Sequence, residues 1–285
     1  MRVRMPNIDF TGMPARWMPR NPEMAHRMNG VSVGTPDLER FLNKVMARAR
    51  QSLVGDDPET VRLRSDIQTF IRQESCHTAL HVAFNDALVA DGYTRIPELQ
   101  KEIAAHYERL LKTKSLKFLV AYCEGFETLG PPVAHAWLDG SMDSLFENAH
   151  PAASMAFRWH VMEEFEHRTV VFETFKKMKG SYFLRVYGYF YQMYHFTRLG
   201  KLVTNYMLRV DRSKMTPEEV AASRQRSKEA SELLKRPALR GMLKTLMPWY
   251  SPRGLAFPKR YDSVVAEVEQ QWGGAPKEDA GLSMA

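Results

Sequence analysis

The segment WHVMEEFEHRTVVFE, residues 159–173, constrains the fold most strongly because it mixes ionisable side chains with large apolar ones. Two histidines and three glutamates fall within the eight residues from His160 to His167. A helix turns by about 100° per residue, so His160, Glu164 and His167 share one stripe and Glu163 lies at its edge. The apolar neighbours predict that this stripe is buried. Because an unpaired buried charge is very costly, the stripe needs charge partners or a metal ion.

A second segment, IRQESCHTALHVAFND at residues 71–86, repeats this arrangement. Glu74 and His77 are one helical turn apart, and His81 and Asn85 extend the same face. Two helices with Glu-x-x-His, together with one glutamate from each of two other helices, form the ligand pattern of di-iron and di-manganese bundles. Carboxylate oxygens and imidazole nitrogens suit both metals. We therefore predict a cofactor of two metal ions, iron or, as the alternative, manganese.

The remaining two glutamates have to come from two further predicted helices. The helix at 36–53 offers Glu39, and the helix at 115–129 offers Glu124 and Glu127. Glu124 is favoured because apolar residues surround it in the sequence. The predicted metal ligands are Glu39, Glu74, His77, Glu124, His160, Glu164 and His167.

Four more residues are predicted to support these ligands or to bind a metal themselves. For His81 three roles stay open: an added ligand, a hydrogen-bond donor that orients a ligand carboxylate, or a buried structural histidine. Asn85 is expected to be an orienting partner or a cap rather than a ligand. The four residues are His81, Asn85, Glu163 and Glu127.

Helical periodicity runs through the chain, and no strand-like alternation competes with it. The sequence therefore predicts an all-α, ferritin-like helical bundle with extra C-terminal helices. Thr35 is expected to cap the first helix, with Pro36 in its first turn. Residues 58–90 and 151–179 are each expected to form one helical segment. The predicted parts are an irregular arm (1–30), a dinuclear-metal bundle (31–210) and a C-terminal helical extension packed on it (211–285).

Composition limits the partners and the compartment. The 285-residue chain is 44 % hydrophobic and has a net charge of +7. No block of Lys and Arg with interleaved aromatics occurs, so we expect no nucleic-acid partner. Two cysteines, no apolar leader and no uncharged apolar run of about 18 residues predict a cytoplasmic protein without a membrane span. The sequence does not fix the oligomeric state, and a dimer is compatible with it.

An aromatic-rich helix is predicted at 181–208. Tyr187, Phe190 and Tyr194 follow helical spacing there and are candidates to line a substrate pocket, with packing in the core as the alternative. Contact with a membrane surface is a weaker alternative.

Three motifs give the chain a family resemblance: LERF, QESCHTALHVAFN and WHVMEEFEH. On these motifs, residues 30–260 resemble the bacterial family of predicted metal-dependent hydrolases. That family has a Glu-His pair where this chain has Glu124-Gly125, and a Phe-His-Pro where it has Phe257-Pro258. The resemblance implies a metal-dependent enzyme. The departures concern the two missing histidines and leave the predicted ligands unaffected.

A second resemblance concerns the type and order of the ligands. Ferritin-like di-iron N-oxygenases of the p-aminobenzoate type use a His-x-x-x-Glu-x-x-His helix, and the spacing of His160, Glu164 and His167 is similar to it. This resemblance implies O₂-dependent oxidation at a di-iron site, with an electron donor as partner.

The sequence is therefore compatible with two enzymatic functions. The ligand set favours a di-iron oxidase or oxygenase acting on a small organic substrate, aromatic or lipid-like. The alternative is a metal-dependent hydrolase in which a metal-bridging water attacks the substrate. A non-catalytic role, as a metal store or a scaffold, is a third possibility; the basic net charge and the predicted aromatic pocket do not suit storage.

Overall fold

The computed structural model describes residues 1–273, with all side chains in that range except those of residues 230 and 233–240. The predicted all-α class is confirmed, since this range contains helices and no strand. The helices are α1 (Pro22–Ser52), α2 (Pro58–Ala90), α3 (Ile96–Thr113), α4 (Leu116–Glu127), α5 (Gly130–Leu138), α6 (Asp143–Phe146), α7 (Pro151–Glu166), α8 (Val170–Lys177), α9 (Tyr182–Arg212), α10 (Pro217–Thr245) and α11 (Tyr261–Gln271).

The first helix begins earlier than predicted. Because α1 starts at Pro22, the irregular arm does not extend to residue 30, and the prediction of Thr35 as a cap is wrong. Asn21 and Pro22 supply the same cap-and-proline signal further upstream: the Asn21 side chain accepts a hydrogen bond from a first-turn amide at 3.0 Å. Pro36 lies inside the helix instead.

The interior proline leaves one helical carbonyl without its usual donor. Pro36 has no N–H, so the carbonyl of Ser32, four residues earlier, cannot be satisfied by the helix. Asn85 of α2 takes over, because its Nδ2 donates to the Ser32 carbonyl at 3.1 Å. The Asn85 side chain thereby replaces the missing donor and connects α2 to α1.

The segment predicted as helical over 151–179 is divided in two. α7 ends at Glu166, His167 caps it, and α8 begins at Val170. The break comes after the last residue of the predicted ligand stripe, so it redirects the chain without removing His167 from that stripe.

The helices that carry the predicted ligands pack against one another and against α9. α1 packs along α2 and against α9, α4 contacts α1, α8 and α9, and α5 packs on α7. α4 and α9 come close because Gly125 lacks a side chain: a Cβ there would lie 2.6 Å from the Cα of Tyr189. A histidine at position 125, as in the family pattern, does not fit this crossing.

Within the described residues, the C-terminal region contains the helices α10 and α11, with a largely non-helical stretch between them. α10 continues to Thr245, well beyond the predicted end near residue 234, and α11 packs on α7. Residues 274–285 of the predicted extension lie outside the described range. Within that range, no helix has both the length and the apolar character needed to cross a bilayer.

Candidate metal centre

Three carboxylates and three imidazoles meet in the buried interior between α1, α2 and α7. They form two adjacent groups, and within each group one ligand atom per residue lies within 4.8 Å of the others. His77 belongs to both groups, so two ions placed there would be neighbours. The groups are Glu74, His77, Glu164 and His167, and Glu39, His77 and His160.

The inner atoms of these residues point at one another. His77 Nδ1 lies 3.7 Å from Glu74 Oε1 and 3.8 Å from Glu164 Oε1. His167 Nε2 lies 3.2 Å from Glu74 Oε1. Six of the seven predicted ligands are therefore brought together; Glu124 is the exception.

In each of the three histidine rings, the nitrogen that points away from the cluster contacts a neighbouring side chain. His77 Nε2 lies 3.2 Å from Glu163 Oε2, and His167 Nδ1 lies 3.0 Å from Glu127 Oε2. His160 Nδ1 contacts His81 Nε2. Partners of this kind fix the tautomer and the orientation of a metal-binding ring, leaving the other nitrogen free for a metal.

The partner of His160 belongs to a hydrogen-bond chain whose direction can be worked out. A carbonyl can only accept, so Asn85 presents Nδ2 to the Ser32 carbonyl and Oδ1 to the Ser32 hydroxyl, which donates to it at 2.8 Å. With its proton used, Ser32 Oγ must accept from His81 Nδ1, 2.8 Å away. His81 Nε2 then accepts from His160 Nδ1, also at 2.8 Å. The chain leaves His160 Nε2 without a proton.

That unprotonated nitrogen faces a carboxylate. Burial lowers the pKa of His160 and lowers that of His81 well below its ordinary value, so each ring carries one proton. His160 Nε2 lies 3.0 Å from Glu164 Oε1 and 3.9 Å from Glu39 Oε1. Two acceptors facing each other at this distance repel unless a cation lies between them.

Several inner atoms also lack a hydrogen-bond partner although they are buried. Buried polar atoms are almost always paired, and leaving several unpaired in one place is costly. Oxygen and nitrogen donors of this kind are ligands for iron, manganese or zinc. The residues therefore fit a metal site. The unpaired atoms are Glu39 Oε1, Glu74 Oε1 and Oε2, His77 Nδ1 and His167 Nε2.

Without a metal, the cluster holds protons in place of cations. Burial, reinforced by Glu74, raises the pKa of Glu39 well above its ordinary value. Burial, reinforced by Glu164, raises the pKa of Glu127 to about 8. Burial opposes protonation of His167, but the carboxylates of Glu127 and Glu164 outweigh it and raise the pKa of His167 to about 9. A metal ion entering the site therefore has to displace protons.

Comparison with known proteins supports the same chemistry. A family model described as predicted metal-dependent hydrolase matches residues 2–255. The chain belongs to this family. No curated protein and no solved structure matches it. The metal dependence in the family's description agrees with the buried cluster of glutamates and histidines.

In this member of the family, the preference for Glu124 over Glu127 has to be corrected. Thr128 Oγ1 donates to Glu124 Oε1 at 2.8 Å, and Arg185 Nη1 lies 3.5 Å from the same oxygen. Glu124 therefore faces α9, whereas Glu127 faces His167. Apolar context did not discriminate between them, because both glutamates are buried.

The N-terminal arm contributes a residue that the sequence did not reveal. Arg4 is 3 % exposed, and its Nη1 donates to Glu163 Oε1 at 3.1 Å and to Glu166 Oε1 at 2.8 Å. Glu163 in turn holds His77. No local pattern in MRVRM marks Arg4, because its partners lie more than 150 positions away.

Thr78 and Ser32 were also missed. Thr78 Oγ1 donates to Glu39 Oε2 at 2.8 Å, which leaves Glu39 Oε1 directed at the cluster. The available signal was spacing: Thr78 follows Glu74 by one turn and lies next to His77. Ser32 lay inside a region predicted to precede the first helix, so its helical face was not considered.

An apolar cavity of about 290 Å³ opens beside the cluster. His81, His160 and Glu164 contribute to its lining, and most of the rest is aromatic or aliphatic. Gly130 also lines it, and a Cβ there would approach Glu164 to 3.3 Å. A molecule in the cavity would therefore lie next to two of the candidate ligands.

The three aromatic residues predicted to line a pocket lie on the exposed side of α9. The exposed fractions of Tyr187, Phe190 and Tyr194 are 54 %, 53 % and 71 %, so these rings face outward and do not line the cavity. Phe196 of the same helix lines it instead. Helical spacing identified a stripe correctly but did not tell which face of the helix was buried.

Proposed function

We propose that this protein is a dinuclear metal-dependent hydrolase acting on a small organic substrate. One observation carries the proposal: two groups of buried donors share His77 and lie beside an apolar cavity that reaches His160 and Glu164. Paired metal sites of this kind are used to hydrolyse carbonyl and phosphoryl compounds. The family description supports hydrolysis in preference to oxidation.

The residues would divide the work as follows. Divalent ions, when bound, would supply Lewis-acid polarisation of the scissile group and would lower the pKa of a water nucleophile. Glu39, Glu74 and Glu164 would hold the ions with oxygen, and the three histidines with nitrogen. Glu163, Glu127 and His81 keep those rings in the binding orientation. The apolar lining of the cavity excludes bulk water from the substrate side.

A second candidate is O₂-dependent oxidation at a di-iron site. It is favoured by the largely apolar lining beside a mixed glutamate and histidine cluster, since O₂ and unactivated carbon centres are themselves apolar. This function would require an electron donor as a partner for repeated turnover.

Metal analysis and two assays separate these candidates. The protein is purified from cells supplied with iron, manganese or zinc, and its metal content is measured. Hydrolysis of neutral aryl esters and amides is then followed with and without a chelator. In parallel, metal-free protein is loaded with Fe(II) without oxygen and exposed to O₂ while its near-UV and visible spectrum is recorded.

Glu74→Gln is the test variant, and Glu102→Gln, on the exposed face of α3, is its matched control. Metal-dependent hydrolysis that is lost in the first variant and kept in the second is the expected result. No hydrolysis with any metal, together with an O₂-dependent absorption band, would select the oxygenase. A protein that retains no metal contradicts both candidates.

A further inference from the structure

The cavity beside the cluster has aromatic walls from four helices. Phe126 of α4 and Phe196 of α9 meet edge to face with their centroids 5.5 Å apart. Trp137 of α5 and Phe157 of α7 lie 5.8 Å apart in a tilted arrangement. All four rings line the cavity. Such pairs present ring faces and edges to a guest, which favours another aromatic ring.

Apart from the proposed metal site at His160 and Glu164, the walls of the cavity offer no positive charge to a guest. No lysine or arginine lines it among the described residues. Thr35 donates its hydroxyl proton to the Val31 carbonyl at 2.9 Å, and both nitrogens of His81 are used in the chain to Ser32 and His160. Glu164 adds a carboxylate. An anionic group placed among these walls, away from the metal site, would be buried without a partner, which is costly.

The size of the cavity limits the guest further. A cavity of about 150 Å³ with aliphatic and aromatic walls accommodates benzene. By the same proportion, the 290 Å³ found here accommodates roughly ten to twelve non-hydrogen atoms. A bicyclic aromatic group fits this volume, and a long acyl chain does not.

We propose that the cavity binds an uncharged, compact aromatic group of one or two rings, and that this group is the part of the substrate held next to His160 and Glu164. As a statement about the substrate, this rests on the proposed function. As a statement about binding, it can be tested without any turnover.

The test uses metal-free protein, so that no metal ion can bind a carboxylate, and two probes of matched shape, indole and indole-3-carboxylate. Binding is measured by titration calorimetry at pH 7.5. Val133→Trp places a large side chain in the cavity lining, at a position that is 37 % exposed and therefore tolerant of bulk. Val61→Trp, on the exposed face of α2 and away from the cavity, is the matched control. Both variants are also loaded with metal in a separate experiment, and their metal content is measured to show that the cluster is intact.

We expect indole to bind at least about tenfold more tightly than its carboxylate, because the metal-free cavity has no partner for the charge. Val133→Trp is expected to abolish indole binding, and Val61→Trp to leave it unchanged. Equal or tighter binding of the carboxylate would contradict the proposal that the guest is uncharged. Indole binding that survives Val133→Trp, or no indole binding to the wild type, would contradict the proposal that the guest binds in this cavity. Indole binding without hydrolysis of any substrate would instead count against the proposed function alone.

Discussion

His81 Nε2 lies 2.8 Å from His160 Nδ1, and His160 Nε2 faces the carboxylates of Glu164 and Glu39. Of the three roles left open for His81 by the sequence, the structure favours a supporting one. His81 orients a neighbouring histidine, however, and not a carboxylate. The two rings form a relay from the α1 backbone to the cluster.

His81→Leu should weaken metal binding by about 10- to 100-fold, the usual effect of removing the partner of a metal-binding histidine. His81→Gln should restore much of the affinity, because its amide can accept from His160 and donate to Ser32. Metal affinity is measured by competition with a chromophoric chelator. If the leucine and glutamine variants bind metal equally well, His81 acts only through packing.

His77→Ala should remove nearly all bound metal, because His77 is shared by both donor groups. Elemental analysis of the purified variant measures this directly. Cys76→Ser is the control: Cys76 is the adjacent residue on α2 but belongs to neither group. A His77→Ala protein that keeps two metals would contradict the geometry of the cluster.

Arg4→Met should lower the free energy of unfolding by about 3–5 kcal/mol, because it leaves the buried carboxylates of Glu163 and Glu166 without their cation. Arg20→Met is a control on the same arm. Arg20 pairs with Glu147 at the surface, where such pairs are worth at most about 1 kcal/mol. Urea unfolding curves measure both. Equal effects of the two substitutions would show that burial of Arg4 is not important.

Glu124 should make stability depend on pH. Burial raises the pKa of Glu124 to about 6 from its ordinary 4.5, so the folded state binds this proton more tightly than the unfolded state does. Its contribution is complete below pH 4.5 and is lost as the pH rises through 6. Glu124→Gln imitates the protonated form. Relative to wild type, the variant should gain about 2 kcal/mol between pH 4.5 and 7.5, and it should keep its metal.

Urea unfolding at the two pH values tests this prediction, and a Glu59→Gln variant at the exposed start of α2 serves as the control. A difference between Glu124→Gln and wild type that does not change with pH would show that the pKa of Glu124 is not raised in the folded protein. Loss of metal from Glu124→Gln would return Glu124 to the ligand set.

The helices and most of the cluster follow from local spacing. α2 was predicted at its observed bounds, because Asp57 and Pro58 give a clear start and Asp91-Gly92 a clear end. The two Glu-x-x-His motifs were recognisable because three- and four-residue spacing fixes which side chains share a helical face. Within one helix, therefore, the sequence predicted the candidate site well.

Relationships between helices could not be predicted in this way. Glu124 and Glu127 differ by about 60° around α4, and a helix buried on most sides gives no apolar contrast to choose between them. The role of Arg4 depends on its contacts with Glu163 and Glu166, which lie more than 150 positions away in the sequence. Tyr187 belongs to a stripe whose aromatic character matches a core, yet it faces outward.

Pro36 has a consequence at the far end of the relay. Because Pro36 brings no amide hydrogen to the Ser32 carbonyl, that carbonyl depends on Asn85, and turning the Asn85 amide over would both lose this bond and set two oxygens against each other. With the amide reversed, every proton between Ser32 and His160 could shift to the opposite atom, and His160 would present N–H to the cluster instead of a lone pair. The missing amide hydrogen of Pro36 therefore makes reversal of this chain more costly and helps to keep a lone pair of His160 directed at the cluster.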